Sequence, residues 1–126
     1  MLLLDADILI DVERRHPPAL DWFSKLTEVP SVPGFVVMEL LQDAADSQQL
    51  AKTLKLLAPL PVVWPSKSDC ERALSLLKAF RLSHRIGLLD SLIASTALGR
   101  SATLCTFNRK HYQMIQGLHL QEPYTR

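Results

Sequence analysis

Cysteine and glycine are scarce in this sequence, and neither occurs in a pattern that supports a familiar chemistry. Only Cys70 and Cys105 are present among 126 residues, which excludes a disulfide scaffold and fits free thiols in a reducing cytosol. The four glycines form no phosphate-binding loop. The four histidines show no zinc spacing with the cysteines, and no motif marks a serine or cysteine nucleophile.

A long apolar run is also lacking. The opening segment MLLLDADILI is apolar, but it has no basic n-region and is interrupted by Asp5 and Asp7. We therefore expect neither a secretory signal nor a membrane span, and a cytoplasmic location. Apolar residues make up 48% of the chain and charged residues 21%, which is typical of a globular protein and not of a disordered tail. The length predicts one domain over residues 1–126.

The net charge of +1 conceals an uneven distribution of charge. Residues 1–64 carry five basic and nine acidic side chains, whereas residues 65–126 carry nine basic and four acidic ones. This asymmetry indicates either a polyanion or acidic partner for the second half, or simple scatter along a folded chain.

Short apolar segments alternate with helical patterns along the chain. Strands are predicted at 2–4, 30–32, 61–64 and 103–106, with an edge strand near 118–120. Helices are predicted at 6–15, 17–26, 35–45, 50–57, 68–80 and 88–98, with a helical turn or two from 109. The fifth helix is predicted to begin at a capping box formed by Ser68 and Glu71. This alternation predicts an α/β fold with a parallel sheet.

Three carboxylates in apolar surroundings are the most informative residues. Asp5 closes LLLD, Glu39 lies in FVVMELL and Asp90 lies in GLLDSLIASTAL. Acidic residues are rarely buried unless they are paired, so three of them indicate a partly enclosed site. Each also has a structural interpretation. Asp5 can cap a helix, and Glu39 can border the polar face of an amphipathic helix. Asp90 can be an acid in the first turn of a helix, where the helix dipole stabilises a negative charge.

Strand topology favours the convergence of these acids. Ligands of open α/β sheets bind outside the carboxyl ends of the strands. Asp5 stands at the end of the first strand and Asn108 follows the strand at 103–106, so both belong at one edge if the strands are parallel. Carboxylate and amide oxygens suit Mg²⁺ or Mn²⁺ and not zinc. The residues therefore indicate metal-assisted hydrolysis.

Four segments in a fixed order link the chain to a known family. They are LLLDADILID at 2–11, SVPGFVVMELL at 31–41, HRIGLLDSLIASTAL at 84–98 and TLCTFNRKHY at 103–112. In these segments the chain resembles the PIN-domain endoribonucleases, specifically the VapC-like toxins of bacterial toxin–antitoxin pairs. The resemblance implies a three-layer α/β/α sandwich around a short parallel sheet, a site for one or two Mg²⁺ or Mn²⁺ ions, and cleavage of single-stranded or looped RNA.

The resemblance also implies roles for individual residues. Asp5, Glu39 and Asp90 correspond to the metal-binding acids. Asn108 stands where relatives have a fourth acid or an asparagine, and Thr106 corresponds to a small hydroxyl residue near the site.

Two positions depart from the family pattern. Asn108 leaves the cluster with three formal charges where some relatives have four, so a second metal ion is expected only when substrate phosphate is present. Ala6 replaces a frequent hydroxyl residue, and Asp7 follows it either as an outer-shell group or facing solvent.

The mechanism implied by the resemblance is hydrolysis by water, leaving a 5′-phosphate and a 3′-hydroxyl. Asp5 and Asp90 would hold the metal ion, and Glu39 would complete the coordination or accept the proton of the water. A cognate antitoxin is the expected protein partner, and a homodimer is expected as well.

Basic and apolar surfaces complete the predictions. Because three carboxylates repel RNA, flanking cations are needed, and the alternative for each is a solvated helix face. The candidates are Arg81, Arg85, Arg109 and Lys110. An apolar stripe is interpreted either as core or as a groove for an antitoxin helix or a second copy. It comprises Trp22, Phe23, Leu50, Leu54 and Leu57.

Two other functions remain open at this point. The segment 5–9 has the D-x-D-x-[TVL] form of haloacid-dehalogenase-type phosphatases, with Asp5 and Asp7 as the acids. That chemistry also needs a lysine and a late acidic pair, and Glu122 is the only acid after Asp90. A PIN-like module that binds RNA or protein without cleaving is the other alternative, because of Asn108.

Overall fold

The computed structural model describes residues 1–126, which form five short strands and seven helices. The strands are β1 Leu2–Leu4, β2 Val32–Pro33, β3 Val62–Val63, β4 Thr103–Cys105 and β5 His119–Gln121. The helices are α1 Ala6–Glu13, α2 Pro17–Ser24, α3 Gly34–Gln42, α4 Ser47–Leu57, α5 Lys67–His84, α6 Leu88–Gly99 and α7 Arg109–Tyr112. None of these helices has both the length and the apolar character needed to cross a membrane.

All strand pairs are parallel. β4 lies between β1 and β5, and β2 pairs with β3. A parallel bridge between Leu3 and Ser31 joins the two groups, and the amide of Leu4 donates to the carbonyl oxygen of Ser31 at 3.0 Å. The strands therefore follow one another in the order β3-β2-β1-β4-β5. Since all run in the same direction, their carboxyl ends meet along one edge.

Both faces of the sheet are covered by helices. Leu3 and Leu4 point to opposite faces of β1, and both are fully buried. Their apolar neighbours include Ile8 of α1, Val36 of α3 and Ile93 of α6, all within one core cluster. Strands buried on both faces appear in a sequence as continuous apolar runs, which is why β1 and β4 were recognisable. The predicted α/β fold with helices around a short parallel sheet is confirmed.

The start of α5 differs from the sequence prediction. The hydroxyl oxygen of Ser66 accepts from the amide of Asp69 at 3.0 Å, and the Asp69 carboxylate accepts from the amide of Ser66 at 2.9 Å. The predicted capping box of Ser68 and Glu71 is therefore wrong, since both residues lie inside the helix. The acid in the third helical position is an aspartate, and the prediction considered only a glutamate.

The predicted apolar stripe is not one surface. The ring of Trp22 packs 6.0 Å from that of Tyr124, and Phe23 also packs against the core. Leu57 belongs to the core, whereas Leu50 and Leu54 of α4 are exposed. The core interpretation therefore holds for three of the five residues.

Candidate functional site

The three acids singled out in the sequence line a single pocket at the carboxyl edge of the sheet. Its volume is about 400 Å³, and we call it the acid pocket. Its lining comes from the β1–α1 junction, α3, α6, the β4–α7 connection and the segment after β5. The lining residues are Asp5, Ala6, Asp7, Ile10, Glu39, Asp90, Phe107, Asn108 and Arg126.

A larger cavity of about 680 Å³ is bordered by residues of α1, α3 and α4. Its lining mixes acidic groups such as Glu13 and Asp43 with basic groups such as Arg14 and Lys52. This mixture does not concentrate charge of one sign, so the acid pocket is the stronger candidate for cation chemistry.

Asp5 is both a helix cap and a pocket acid. It is 6% exposed and directly follows β1, and its Oδ1 accepts from the amide of Ala6 at 2.8 Å, which caps α1. Its Oδ2 accepts from the hydroxyls of Thr106 at 2.9 Å and Tyr112 at 3.2 Å. The two interpretations of Asp5 left open by the sequence are therefore compatible.

The environment of Asp5 disfavours its charge. Burial is the main cause, and repulsion from Asp7 adds to it, so that the pKa of Asp5 rises to about 6 despite its three hydrogen-bond donors. A nearby cation would reverse this balance by favouring the ionised form.

Asp90 lies in the first turn of α6 and is joined to Asp5 through one hydroxyl group. Its Oδ1 accepts from Tyr112 at 3.3 Å, and its Oδ2 accepts from the amide of Gly87 at 3.3 Å. Nδ1 of His111 lies 3.2 Å from the same Oδ2. Tyr112 is fully buried, so its hydroxyl oxygen is a fixed point between the two carboxylates.

Glu39 is the least engaged acid of the pocket. It projects from α3, is partly buried and forms no hydrogen bond with another protein group. Burial, followed by repulsion from Asp5, Asp43 and Asp90, raises its pKa. Its carboxylate is thus free to bind a cation or to accept a proton.

Thr106, Asp7 and Asn108 organise the loop after β4. Thr106 donates to Asp5 and accepts from the amide of Asn108 at 3.0 Å. Oδ2 of Asp7 accepts from the amide of Phe107 at 2.8 Å, so Asp7 ties α1 to this loop and does not face open solvent. The side-chain amide of Asn108 hydrogen-bonds to Nδ1 of His111 at 2.9 Å.

The four candidate RNA contacts do not line the acid pocket. Arg81 donates to the carbonyl oxygens of Arg85 and Ile86, where it closes the end of α5. Arg109 lies 3.6 Å from Glu122, and Arg85 and Lys110 are exposed. Their contact with RNA stays a prediction.

Three residues of the site, His111, Tyr112 and Arg126, were not predicted from the sequence. Asn108, His111 and Tyr112 have the i, i+3, i+4 spacing of one helix face, so the proximity of His111 and Tyr112 to the pocket was detectable. No comparable signal marked Arg126, because its place depends on the path of the chain after β5.

The donor set fits a hydrated Mg²⁺ or Mn²⁺ ion. No three histidine, cysteine, aspartate or glutamate side chains are arranged so that they could hold a metal ion by themselves. Mg²⁺ usually keeps several water ligands and binds proteins through one or two carboxylates together with substrate phosphate. Asp5 and Asp90, which share the hydroxyl of Tyr112, and the free carboxylate of Glu39 suit that mode of binding.

The small parallel α/β fold and the acid pocket at the carboxyl edge of its sheet define a class of protein. Similarity to known proteins identifies that class. The PIN domain matches residues 2–115, and the chain belongs to this family. It is 32% identical to Ribonuclease VapC10 of Mycobacterium tuberculosis over 120 residues, which cover 94% of this chain and 90% of that protein. The resemblance found in the sequence is confirmed.

Solved structures give the same result. A chain of a toxin–antitoxin complex from Klebsiella pneumoniae superposes with a TM-score of 0.80 and 25% identity, and the match covers both chains in full. A chain of VapBC-1 from nontypeable Haemophilus influenzae gives a TM-score of 0.79 and 26% identity, over 95% of this chain and 96% of that one.

Proposed function

We propose that this chain is an endoribonuclease that depends on Mg²⁺ or Mn²⁺ and acts as the toxin of a toxin–antitoxin pair. The observation that carries the proposal is the meeting of Asp5, Glu39 and Asp90 in one pocket of a PIN domain. The similarity to a ribonuclease over almost the whole chain supports RNA as the substrate.

Asp5 and Asp90 are assigned as the metal ligands because the buried hydroxyl oxygen of Tyr112 lies within hydrogen-bond distance of both carboxylates, which share its single proton. When bound, the ion neutralises charge on the phosphodiester and lowers the pKa of a coordinated water. Thr106 keeps Asp5 oriented, and the amide of Gly87 does the same for Asp90.

Glu39 is assigned as the proton acceptor, with metal ligation as the other role that the sequence allows. Its raised pKa and its lack of hydrogen-bond donors favour uptake of a proton from water. The oxygen of that water forms a bond to phosphorus, the bond from phosphorus to the 3′ oxygen breaks, and the 3′ oxygen gains a proton from solvent. The products are a 5′-phosphate and a 3′-hydroxyl.

Partners follow from the same proposal. The similar structures from Klebsiella pneumoniae and Haemophilus influenzae are toxin–antitoxin complexes, which supports a cognate antitoxin for this chain. A homodimer is proposed because Leu74, Leu82 and Leu88 are exposed, and Leu82 is 97% exposed. RNA as substrate implies a cytoplasmic location.

A cleavage assay tests the function. We expect the purified chain to cleave single-stranded RNA in Mn²⁺ and to lose activity in EDTA. Asp90→Asn should abolish cleavage. The control Asp21→Asn changes an exposed acid of α2 that pairs with Lys25, and it should not abolish cleavage. A 2′,3′-cyclic phosphate product, or full activity in EDTA, would exclude the mechanism. Absence of cleavage in Mn²⁺ would favour the non-cleaving module.

The phosphatase alternative has little support. It needs a lysine beside the nucleophile, and no lysine lines the acid pocket.

A further inference from the structure

The acid pocket has one cationic side chain among its four acids. Asp5, Asp7, Glu39 and Asp90 line it together with Arg126, and no other arginine or lysine does so. Arg126 lies beyond residues 2–115, the part of the chain that matches the PIN domain. It therefore needs an explanation of its own.

Two contacts fix the guanidinium group of Arg126. Its Nη2 donates to Oδ1 of Asp11 at 3.1 Å, and its Cζ lies 5.1 Å from the centroid of the Phe107 ring. The anchor is itself held, because the carboxylate of Asp11 is only 10% exposed and its Oδ2 accepts from the hydroxyl of Tyr124 at 2.8 Å. An ion pair and a cation–π contact together restrict the position of the guanidinium.

Most N–H groups of the Arg126 guanidinium have no acceptor within the protein. Arginine has five N–H groups, and a single hydrogen bond to Asp11 leaves the others without a protein acceptor. The side chain is 46% exposed, and its ion pair is with Asp11 and with none of the four pocket acids. Its charge still reaches the pocket, because it lowers the pKa of Asp7 against the effect of burial.

We propose that Arg126 binds a phosphodiester group of single-stranded RNA at the edge of the acid pocket, next to the bond that is cleaved. This inference rests on the proposed ribonuclease function and names the cation that brings the substrate to an acidic site. A planar guanidinium with free N–H groups matches two phosphate oxygens, which a lysine at the same place would not do. Asp11 is then a positioning residue for Arg126.

Binding can be measured without cleavage. We suggest fluorescence anisotropy of a 5′-labelled single-stranded RNA with the full chain in EDTA, at several salt concentrations. Arg126→Ala should raise the Kd about tenfold, since hydrogen bonds to charged groups have that strength. It should also reduce the slope of log K against log salt by about 0.7, the value for one phosphate contact on a single strand. Arg126→Lys should fall between Arg126→Ala and the unchanged chain.

Matched variants separate binding from folding. Arg100→Ala removes another partly exposed, ion-paired arginine that does not line the pocket and is not among the candidate RNA contacts, and it should leave the Kd unchanged. Asp11→Asn keeps Arg126 but removes its charged anchor, and it should weaken RNA binding several-fold. Calorimetric titration with Mn²⁺ should give an affinity for Arg126→Ala that is no weaker than that of the unchanged chain, because loss of a positive charge does not disfavour a cation in the pocket.

The outcomes are distinct. An unchanged Kd and salt slope for Arg126→Ala, or an equal loss for Arg100→Ala, would overturn the role of Arg126 even if the chain cleaves RNA normally. Absence of cleavage in Mn²⁺, combined with a loss of binding in Arg126→Ala, would overturn the ribonuclease function and leave an RNA-binding role for Arg126.

Discussion

The hydroxyl oxygen of Tyr112 lies 3.2 Å from Oδ2 of Asp5, in the buried core behind the acid pocket. The same oxygen lies 3.3 Å from Oδ1 of Asp90. Burial and the two carboxylates raise the pKa of Tyr112 well above its ordinary value, so the group is a neutral donor at any physiological pH. The Tyr112 side chain thus contacts two acids that lie 85 positions apart in the sequence.

Removal of this hydroxyl should weaken metal binding. We expect Tyr112→Phe to lower the affinity for Mn²⁺ by about ten- to a hundredfold, as is typical when a group that orients metal ligands is lost. Isothermal titration calorimetry measures this directly. Tyr124→Phe is the matched control, because it removes a hydroxyl bonded to Asp11 outside the metal ligands. Equal affinities for both variants and the unchanged chain would contradict the prediction.

The raised pKa of Asp5 predicts a specific pH dependence of stability. The pKa is about 6 in the folded chain and 3.8 ordinarily, so folding favours the protonated form. The contribution of Asp5 to stability is therefore complete below about pH 4 and is lost as the pH rises through 6. Without metal, the stability lost between pH 4 and pH 7 should therefore be smaller in Asp5→Asn than in the unchanged chain, because the amide does not ionise.

Urea denaturation in EDTA at pH 4, 5, 6 and 7 checks this sign. The unchanged chain should lose part of its stability over that range, and Asp5→Asn should lose less. Asp21→Asn, at an exposed position, should follow the unchanged chain. Mg²⁺ should stabilise the unchanged chain at pH 7 and leave Asp5→Asn unaffected. An equal loss of stability between pH 4 and pH 7 in Asp5→Asn and in the unchanged chain would refute the raised pKa of Asp5.

Glu39→Gln tests which of two roles Glu39 has. Because Glu39 is assigned as the proton acceptor, we expect kcat to fall by about 10²–10⁴ while the affinity for Mn²⁺ changes less than about threefold. Glu71→Gln, the same substitution at an exposed glutamate of α5 outside the acid pocket, should leave both quantities unchanged. A parallel loss of Mn²⁺ affinity and kcat in Glu39→Gln would assign Glu39 as a metal ligand instead.

The positions of the pocket acids were predictable because they depend on local rules. Asp5 ends an apolar strand and Asp90 begins a helix, and parallel strands bring such ends to one edge. Glu39 was predictable as an acid within an apolar helix. The central strands β1 and β4 were also predictable, since strands buried on both faces have continuous apolar runs.

Long-range contacts were not predictable in this way. Tyr112 appears in the sequence as the apolar side of a short helix, and nothing in that pattern indicates that its hydroxyl reaches Asp5, 107 positions earlier. Arg81 appears as a free surface cation, yet it donates to backbone carbonyls at the end of its own helix. Arg126 reaches the acid pocket only because Asp11 and Phe107 hold it there.

Helix α5 allows a direct comparison between the cap expected from the sequence and the one observed. Ser66→Ala removes the hydroxyl that accepts from the amide of Asp69, and should lower the free energy of unfolding by about 1 kcal/mol. Ser68→Ala should change it by less than about 0.5 kcal/mol, because Ser68 is exposed within the first turn and alanine is the better helix former. Thermal or urea denaturation of both variants at pH 7 measures the difference. A larger loss for Ser68→Ala than for Ser66→Ala would mean that the helix begins at the capping box expected from the sequence.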